Sequence, residues 1–292
     1  MNKHGEMKMT NYRWTICIMM FLALTINYLD RQVLSLTWDE FIKPEFHWNE
    51  IHYGRITATF SIVYAIGMLF AGRVIDWMGT KAGFLWSIGV WSLGACLHAF
   101  CGVATEACVG LEDRTQLMMA TGDMAVLIAT FSMYFFLAAR CVLAIGEAGY
   151  FPAAVKVTAE YFPKRDRAFA TSIFNAGASI GALAAPLTIP LLAKYWGWEL
   201  SFVIIGVLGF IWMGFWVFMY TPPEKSRFVN ANQFYFGEFV QTIQSAHIFT
   251  IGTSFTTETL CIGAIHYWQL FFFQNYITVD VGYRHFCCRN QI

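Results

Sequence analysis

The sequence predicts an all-α membrane protein whose helices cross the bilayer six times. Hydrophobic residues make up 57% of the 292 residues and charged residues only 13%, whereas a soluble domain carries about 25% charged residues. The mean hydropathy is +0.49. This apolar character is concentrated in long uncharged runs, and a helix needs about 20 apolar residues to cross the hydrocarbon core.

Each predicted span corresponds to one uncharged run, alone or with a modest extension through a polar position. The runs are Trp14–Leu29, Ile56–Gly72, Ala82–Thr105, Met124–Ala139, Ala168–Ala193 and Leu200–Pro223. Lys8 and Arg13 precede the first run, as basic residues precede the apolar segment of a signal peptide. The run nevertheless continues through Asp30 and Arg31 without a small-residue cleavage site, so we expect an uncleaved first helix.

The basic residues of the connecting segments predict the orientation, because cytoplasmic loops are enriched in Lys and Arg. With the N-terminus inside, the cytoplasmic segments hold Lys3, Lys8, Arg13, Arg73, Lys81, Lys156, Lys164, Arg165, Arg167, Lys225 and Arg227. The opposite side holds only Lys43, Arg55, Arg114 and Lys194. The sequence therefore predicts a cytoplasmic N-terminus and a multi-pass protein.

Four segments follow from this reading. Residues 1–12 form a cytoplasmic N-terminus, 13–221 a six-helix bundle, 222–232 a cytoplasmic linker and 233–292 an atypical tail. The tail has no Lys and no Pro and is rich in polar residues. Two explanations stay open for it, a partial seventh or eighth span that lines a cavity and a shifted reading frame. We favour the shifted frame and assign no function there.

Two external connections have different expected structures. Residues 39–53 mix acidic residues with Pro44 and Trp48 and are expected to form a short interfacial helix. Residues 106–123 are polar and longer than a hairpin needs, which favours a solvated surface loop. The eight cysteines are scattered and are interpreted as membrane-buried thiols, with external pairing of Cys101 and Cys108 as the alternative.

Four ionisable residues lie inside the apolar helices, namely Asp30, Arg31, Arg140 and Glu147. Each costs roughly 2.5–3.5 kcal/mol to insert, so the four together cost about 10–14 kcal/mol before any pairing. Arg140 and Glu147 are seven residues apart and share one helix face. Asn27 precedes Asp30 by three residues, which places an amide near the first pair.

These residue types suit the binding of an organic anion together with protons. A guanidinium can bind a carboxylate through two parallel hydrogen bonds. A carboxyl group in a low-dielectric site can take up a proton near neutral pH. The alternative is that Asp30–Arg140 or Arg31–Glu147 form only structural ion pairs, although doubling such a pair in the bilayer is costly.

A glycine- and charge-bearing pattern separates the second and third runs, Gly72-x-x-x-Asp76-x-x-Gly79-x-Lys81. Glycines permit a tight turn, and Asp76 can accept from a basic neighbour or a helix N-terminus. The pattern resembles the signature loop of the major facilitator superfamily. Trp77 stands where that family usually has a basic residue.

Further motifs resemble the anion:cation symporter branch of that superfamily, which includes bacterial hexuronate and galactonate transporters and animal organic-anion carriers. They are Asn27-Tyr28-x-Asp30-Arg31, Arg140-x4-Ile145-Gly146-Glu147-Ala148-x3-Pro152 and Gly197-Trp198-x3-Phe202. The resemblance covers about residues 12–228. Superfamily members have twelve helices in two halves, so it implies an N-terminal half plus a fragment, with a second half missing.

The resemblance implies a secondary transporter of the bacterial inner membrane that takes up a sugar acid such as a hexuronate with protons. From the residue types, we expect Arg31 and Arg140 to bind the cargo carboxylate, Asp30 and Glu147 to carry protons, and Tyr28, Tyr64 and Asn175 to contact cargo hydroxyls. Aromatic packing is the alternative for both tyrosines. Without a second half, the chain is expected not to transport unless halves assemble.

Other classes of function have less support in the sequence. A net charge of +0 argues against a nucleic-acid partner, and no metal-ligand spacing or cofactor motif occurs, so neither is expected. Gly177-Ala-Ser179-Ile-Gly181 has the letters of a hydrolase nucleophile elbow. That elbow requires a strand-to-helix turn, whereas this run is uninterrupted and apolar. Gly177 and Gly181, four residues apart, are instead expected to let this helix approach a neighbouring helix closely. His98 is interpreted as a packing residue, and we expect no enzyme. A non-transporting membrane sensor or scaffold remains the alternative.

Overall fold

The computed structural model describes residues 3–111 and 114–221, with side chains from Tyr12 onward. These residues are helical, apart from short connections, and contain no strand. The elements are α1 (Lys3–Thr37), a π-helical turn (Trp38–Ile42), α2 (Lys43–Phe46), α3 (Glu50–Met78), α4 (Thr80–Ala99), α5 (Cys101–Val109), α6 (Arg114–Met119), α7 (Asp123–Tyr161), α8 (Lys164–Trp196) and α9 (Trp198–Met219). The predicted linker after Thr221 and the tail at 233–292 lie outside the described residues.

Six of these helices are long and apolar enough to cross a membrane, which confirms the predicted fold class. They are α1 with its continuation to Phe46, α3, α4, α7, α8 and α9. The helices extend beyond the uncharged runs because charged residues at their ends continue the backbone hydrogen bonding. The longest, α7, has 39 residues and contains both Arg140 and Glu147.

Local sequence signals explain where several helices begin and end. Asn49 caps α3, because its side chain accepts hydrogen bonds from the backbone N–H groups of Ile51 and His52. Gly79 (φ +82°) separates α3 from α4, and Gly197 (φ +90°) separates α8 from α9. Residues other than glycine rarely adopt such a positive φ angle, so glycine permits both tight turns.

Close contact between α1 and α8 depends on two glycines one turn apart. A Cβ at Gly177 would lie 2.4 Å from the carbonyl oxygen of Phe21, and one at Gly181 would lie 2.6 Å from that of Thr25. The two small residues therefore bring the helix backbones together, as the spacing predicts. Because Ser179 lies between them within one continuous helix, the structure contains no nucleophile elbow at this position.

A second close contact joins α4 to α7. A Cβ at Gly146 would lie 2.2 Å from the backbone nitrogen of Trp91, and one at Gly94 would lie 2.7 Å from that of Leu143. Ser87 reinforces the contact by donating its hydroxyl hydrogen to the carbonyl oxygen of Gly146 at 2.6 Å. This contact fixes the part of α7 that carries Glu147.

The connection at 106–123 differs from the expected solvated loop. It contains the end of α5 and all of α6, and Leu117 is fully buried. Arg114 donates to Glu45 at 2.5 Å and forms an ion pair with Glu199 at 2.7 Å. These charges attach the connection to α2 and α9, and residues far apart in the sequence supply them. At 39–53, the π-helical turn and α2 provide the short helical segment that was expected.

Arg114 lies outside the spanning helices, and its pKa reflects two opposing effects. Partial burial favours the neutral guanidine, but the hydrogen bond that Arg114 donates to Glu45 and the negative charges of Glu45 and Glu199 together raise the pKa of Arg114. The indole N–H of Trp198 also donates to Glu45, at 2.7 Å. Glu45 is therefore satisfied although only 1% of its surface is exposed.

The described cysteines are free thiols. Cys17 and Cys101 are buried, Cys96 and Cys141 are partly buried, and Cys108 is exposed. The alternative that Cys101 pairs with Cys108 is therefore wrong, and the interpretation as membrane-buried thiols does not extend to Cys108.

Candidate functional site

Three consecutive residues of α7 contact three different helices. Gly146 packs against α4 at Trp91, Ala148 packs against α3 with its Cβ 2.9 Å from the position of a Cβ on Gly67, and Glu147 contacts Arg31 of α1. Small residues on either side of Glu147 let the neighbouring helices approach closely. The carboxylate is therefore held at the centre of the bundle.

Arg31 and Glu147 form an ion pair in which Arg31 is partly buried and Glu147 is buried. Arg31 Nε donates to Glu147 Oε2 at 2.6 Å, and the Glu147 side chain has no exposed surface. The Arg31 guanidinium carbon also lies 4.7 Å from the ring centroid of Tyr64, 5.6 Å from that of Tyr28 and 5.8 Å from that of Phe60. Aromatic faces attract cations at these distances. The other oxygen of Glu147, Oε1, has no hydrogen-bond partner among the described residues.

Arg140 lies two turns before Glu147 on α7 and is only 5% exposed. Its guanidinium carbon is 5.6 Å from the ring centroid of Phe60. Asp30, Glu147 and Arg31 all act on it electrostatically. Within residues 12–111 and 114–221, however, no carboxylate lies within 4.0 Å of the Arg140 nitrogens. A buried guanidinium without a paired carboxylate is unusual, because burying a charge is costly unless it is paired.

Asp30 completes the set of charges. It is fully buried, and neither of its carboxyl oxygens has a hydrogen-bond partner among the described residues. Glu147, Arg140 and Arg31 lie close enough to act on it electrostatically. Asn27 is also buried and lies close enough to Glu147 to act on that carboxylate, although its amide nitrogen makes no hydrogen bond of ordinary geometry to a described residue. The four predicted charges thus lie together, but only Arg31 and Glu147 form a direct ion pair.

The predicted cargo-contacting residues fall into two groups. Tyr28 and Tyr64 are partly buried and face the Arg31 guanidinium. Asn175 lies on α8, two residues before Gly177, where the close contact with α1 begins, and is partly buried. Its side chain makes no hydrogen bond to another described residue. The structure therefore brings the tyrosines to the charges but gives no direct contact between Asn175 and them.

The pattern Gly72–Lys81 connects helices at the end of the bundle that is predicted to be cytoplasmic. Asp76 accepts a hydrogen bond from Lys156 of α7 at 2.7 Å, so the basic neighbour is the partner. Lys81 donates to the carbonyl oxygen of Val217 on α9 at 2.8 Å. Gly79 forms the turn, whereas a Cβ at Gly72 would meet no atom within 4 Å. The pattern therefore joins α3 to α7 and α4 to α9.

Comparison with known proteins identifies the family. The family profile described as Major Facilitator Superfamily matches residues 20–284, which is most of the chain. The chain belongs to this superfamily. Its members are transporters rather than enzymes, in agreement with the expectation that the chain is not an enzyme. The match extends beyond residue 228, where the motifs end, into the segment that the sequence marks as atypical.

The curated relatives of this chain are named as sugar-acid transporters. The chain is 28% identical over 220 residues to the hexuronate transporter of Escherichia coli K12, covering 75% of this chain and 44% of that protein. It is 26% identical over 226 residues to the galacturonate transporter of Dickeya chrysanthemi, covering 77% and 57%. The chain spans about half the length of the curated relatives that it matches.

A solved facilitator has the same fold. A bacterial homolog of the human lysosomal transporter Spinster, in an inward-facing and unoccupied conformation, superposes with a TM-score of 0.56 at 21% identity. The match covers 79% of this chain and 48% of that chain. At this identity the comparison supports the helical arrangement only.

Sequence reasoning missed two features of this facilitator. Phe60 approaches both Arg31 and Arg140, but a phenylalanine in an apolar helix carries no signal that separates it from a lipid-facing residue. Glu160 accepts hydrogen bonds from Thr80 and Tyr220 at the end predicted to be cytoplasmic. Burial, followed by the negative charge of Glu160, raises the pKa of Tyr220. Neither partner could be found from the sequence, because the pairs are 80 and 60 residues apart.

Proposed function

We propose that this chain forms the six-helix half of a proton-coupled sugar-acid transporter that binds the cargo and the proton. It lies in a bacterial inner membrane with its N-terminus in the cytoplasm. The superfamily membership and the sugar-acid names of the relatives support this cargo class. The excess of Lys and Arg in the segments on the N-terminal side supports the orientation.

One observation carries the proposal. Arg140 is 5% exposed and has no carboxylate within ion-pair distance among the described residues, whereas Arg31 is paired with Glu147. A buried guanidinium without a direct ion-pair partner favours the entry of an anion, and its planar fork can bind both oxygens of a carboxylate. The carboxylate of a hexuronate supplies this group, and Arg31 is positioned to share it.

Proton coupling follows from the charges around this arginine. With both acids ionised, the charges of Asp30, Arg31, Arg140 and Glu147 cancel. Addition of one proton leaves a single positive charge, which matches a monovalent sugar acid. A proton on Glu147 also weakens its hold on Arg31 and frees that guanidinium for the cargo.

Asp30 is the second proton carrier of this proposal. An ionised carboxylate without hydrogen bonds is costly in a buried position, so the neutral form of Asp30 relieves that cost. Tyr28, Tyr64 and Asn175 contact the cargo hydroxyls. Cargo and proton together favour movement of this bundle against a second half around a site at the membrane midplane. Gly72, Asp76, Gly79 and Lys81 act in that movement by holding the ends of the helices.

The test is equilibrium binding of radiolabelled glucuronate and galacturonate to the chain reconstituted in lipid bilayers. Arg140→Ala should weaken binding about 100-fold, because a charge-assisted bidentate contact is lost. Arg140→Lys keeps the positive charge but not the planar guanidinium, and it should weaken sugar-acid binding about 10-fold. Arg55→Ala is the matched control, since Arg55 is exposed on α3, and should bind like the unmodified chain.

Normal binding by Arg140→Ala would refute the assignment of the site. Vesicles that contain the chain then distinguish a transporter from a sensor. Uptake of galacturonate accompanied by proton entry supports transport, whereas binding without flux supports a non-transporting membrane protein.

A further inference from the structure

Phe60 lies close to both arginines of the charged cluster. Its ring centroid is 5.8 Å from the guanidinium carbon of Arg31 and 5.6 Å from that of Arg140. Arg31 belongs to α1 and Arg140 to α7, while Phe60 belongs to α3. Among the described rings, Phe60 alone approaches both guanidinium groups within about 6 Å, the usual range of a cation–π contact.

The ring itself is held in place by a neighbour on the same helix. Tyr64 follows Phe60 by one turn and stacks on it, with ring centroids 6.0 Å apart and an interplanar angle of 13°. Tyr64 also faces Arg31 at 4.7 Å. Phe60 is only partly buried, and it packs against the same hydrophobic cluster as Tyr28. The orientation of the Phe60 ring is therefore fixed from one side.

A phenylalanine face has a specific advantage between two arginines. Its π electrons attract both cations and offset part of their mutual repulsion. A ring without a hydroxyl group accepts no conventional hydrogen bond, so Phe60 itself occupies none of the N–H groups of the two guanidiniums. A carboxylate of this chain at the same place would instead compete with the cargo.

We propose that Phe60 is a positioning residue that fixes the separation and the orientation of Arg31 and Arg140 for binding one carboxylate. This inference deepens the proposed function and rests on it for the identity of the anion. Phe60 acts through the two arginines, so it is not itself assigned a contact with the cargo. The effect of a substitution at Phe60 on binding affinity should therefore depend on whether the new side chain is aromatic rather than on its volume.

The experiment compares Phe60→Leu and Phe60→Trp in the full reconstituted chain, with radiolabelled glucuronate as the probe. Phe60→Leu keeps an apolar side chain but removes the π face and should weaken glucuronate binding about 10-fold. Phe60→Trp keeps an aromatic face, and its glucuronate affinity should stay within about 3-fold of that of the unmodified chain. Phe70→Leu is the matched control on α3, because Phe70 is 60% exposed, and it should have no effect.

A role in packing alone predicts the opposite order. The larger Trp would then be the more damaging substitution and Leu the milder one, and that result would overturn the proposal. Equal binding by both variants and the unmodified chain would overturn it as well. Thermal unfolding of each variant is measured alongside, so that a loss of folded protein is recognised.

A second readout separates this proposal from the identity of the cargo. Phenylglyoxal modifies accessible guanidinium groups, and mass spectrometry locates the modified arginines without any sugar acid. Phe60→Leu should accelerate modification of Arg31 and Arg140 several-fold, whereas Phe60→Trp and Phe70→Leu should not. If the unmodified chain binds no glucuronate but this order holds, the proposed cargo fails and the role of Phe60 stands. Unchanged modification rates in Phe60→Leu would overturn that role.

Discussion

The contact between α4 and α7 gives a direct prediction for Gly146→Ala. The new Cβ would lie 2.2 Å from the backbone nitrogen and 2.7 Å from the Cα of Trp91. Ordinary contact begins at 3.4 Å, so the helices must separate by roughly 1 Å in an interior packed as densely as a crystal. The obstacle is backbone and cannot rotate away.

Overpacking of this kind typically lowers the free energy of unfolding by about 1–3 kcal/mol. Because the obstacle is backbone, the cost of Gly146→Ala should be about 3 kcal/mol. For a bundle of this size, the loss corresponds to a fall in the melting temperature of roughly 6–12 °C. Differential scanning fluorimetry of the purified chain in one detergent measures it. The separation also displaces Glu147, so glucuronate binding should weaken in the variant that remains folded.

Gly54→Ala is the matched control, because a Cβ at Gly54 meets no atom within 4 Å. It should leave the melting temperature unchanged or raise it slightly, since alanine is favoured over glycine in a helix by about 0.5–1 kcal/mol. A melting temperature of Gly146→Ala equal to that of Gly54→Ala would refute the described packing of α4 on α7.

Two further predictions concern the connection between α4 and α7. Among the described residues, Arg114→Ala leaves the buried Glu45 with the indole of Trp198 as its one partner. It should cost about 1–2 kcal/mol, because the exposed part of Arg114 is screened by solvent. Thermal unfolding measures this cost, which should shrink in a Glu45→Gln background; an equal cost in both backgrounds would contradict the pairing. Burial raises the pKa of the Cys101 thiol to about 12, so about one thiol in 10,000 is ionised at pH 8. Iodoacetamide with mass-spectrometric mapping at pH 8 should therefore modify the exposed Cys108 and spare Cys101 in the folded chain, with faster modification of Cys101 as the pH rises, and comparable rates at pH 8 would contradict its burial.

The sequence predicted the features that depend on local spacing or on the cost of insertion. The six spans follow from uncharged runs, and the close approach of α1 and α8 follows from Gly177 and Gly181. The gathering of Asp30, Arg31, Arg140 and Glu147 was predictable because isolated charges in hydrocarbon are too costly to leave apart.

The features that sequence reasoning missed depend on tertiary contacts. Arg114 and Glu45 are separated by 69 residues, so nothing local showed that the connection at 106–123 is helical and packed. The sequence also left open which of the pairs would form a direct ion pair, since Arg31–Glu147 and Asp30–Arg140 were equally possible. The structure contains the first as a direct ion pair and leaves Arg140 facing Phe60.

The most direct test of the proposed coupling is the number of protons taken up when glucuronate binds. A pH indicator in weakly buffered suspension, with the reconstituted chain at known concentration, measures this number. We expect uptake of about one proton per bound glucuronate near neutral pH and a marked decrease of this number in Glu147→Gln, which should still bind the anion. Binding of glucuronate with equal affinity across the pH range and without proton uptake would contradict it.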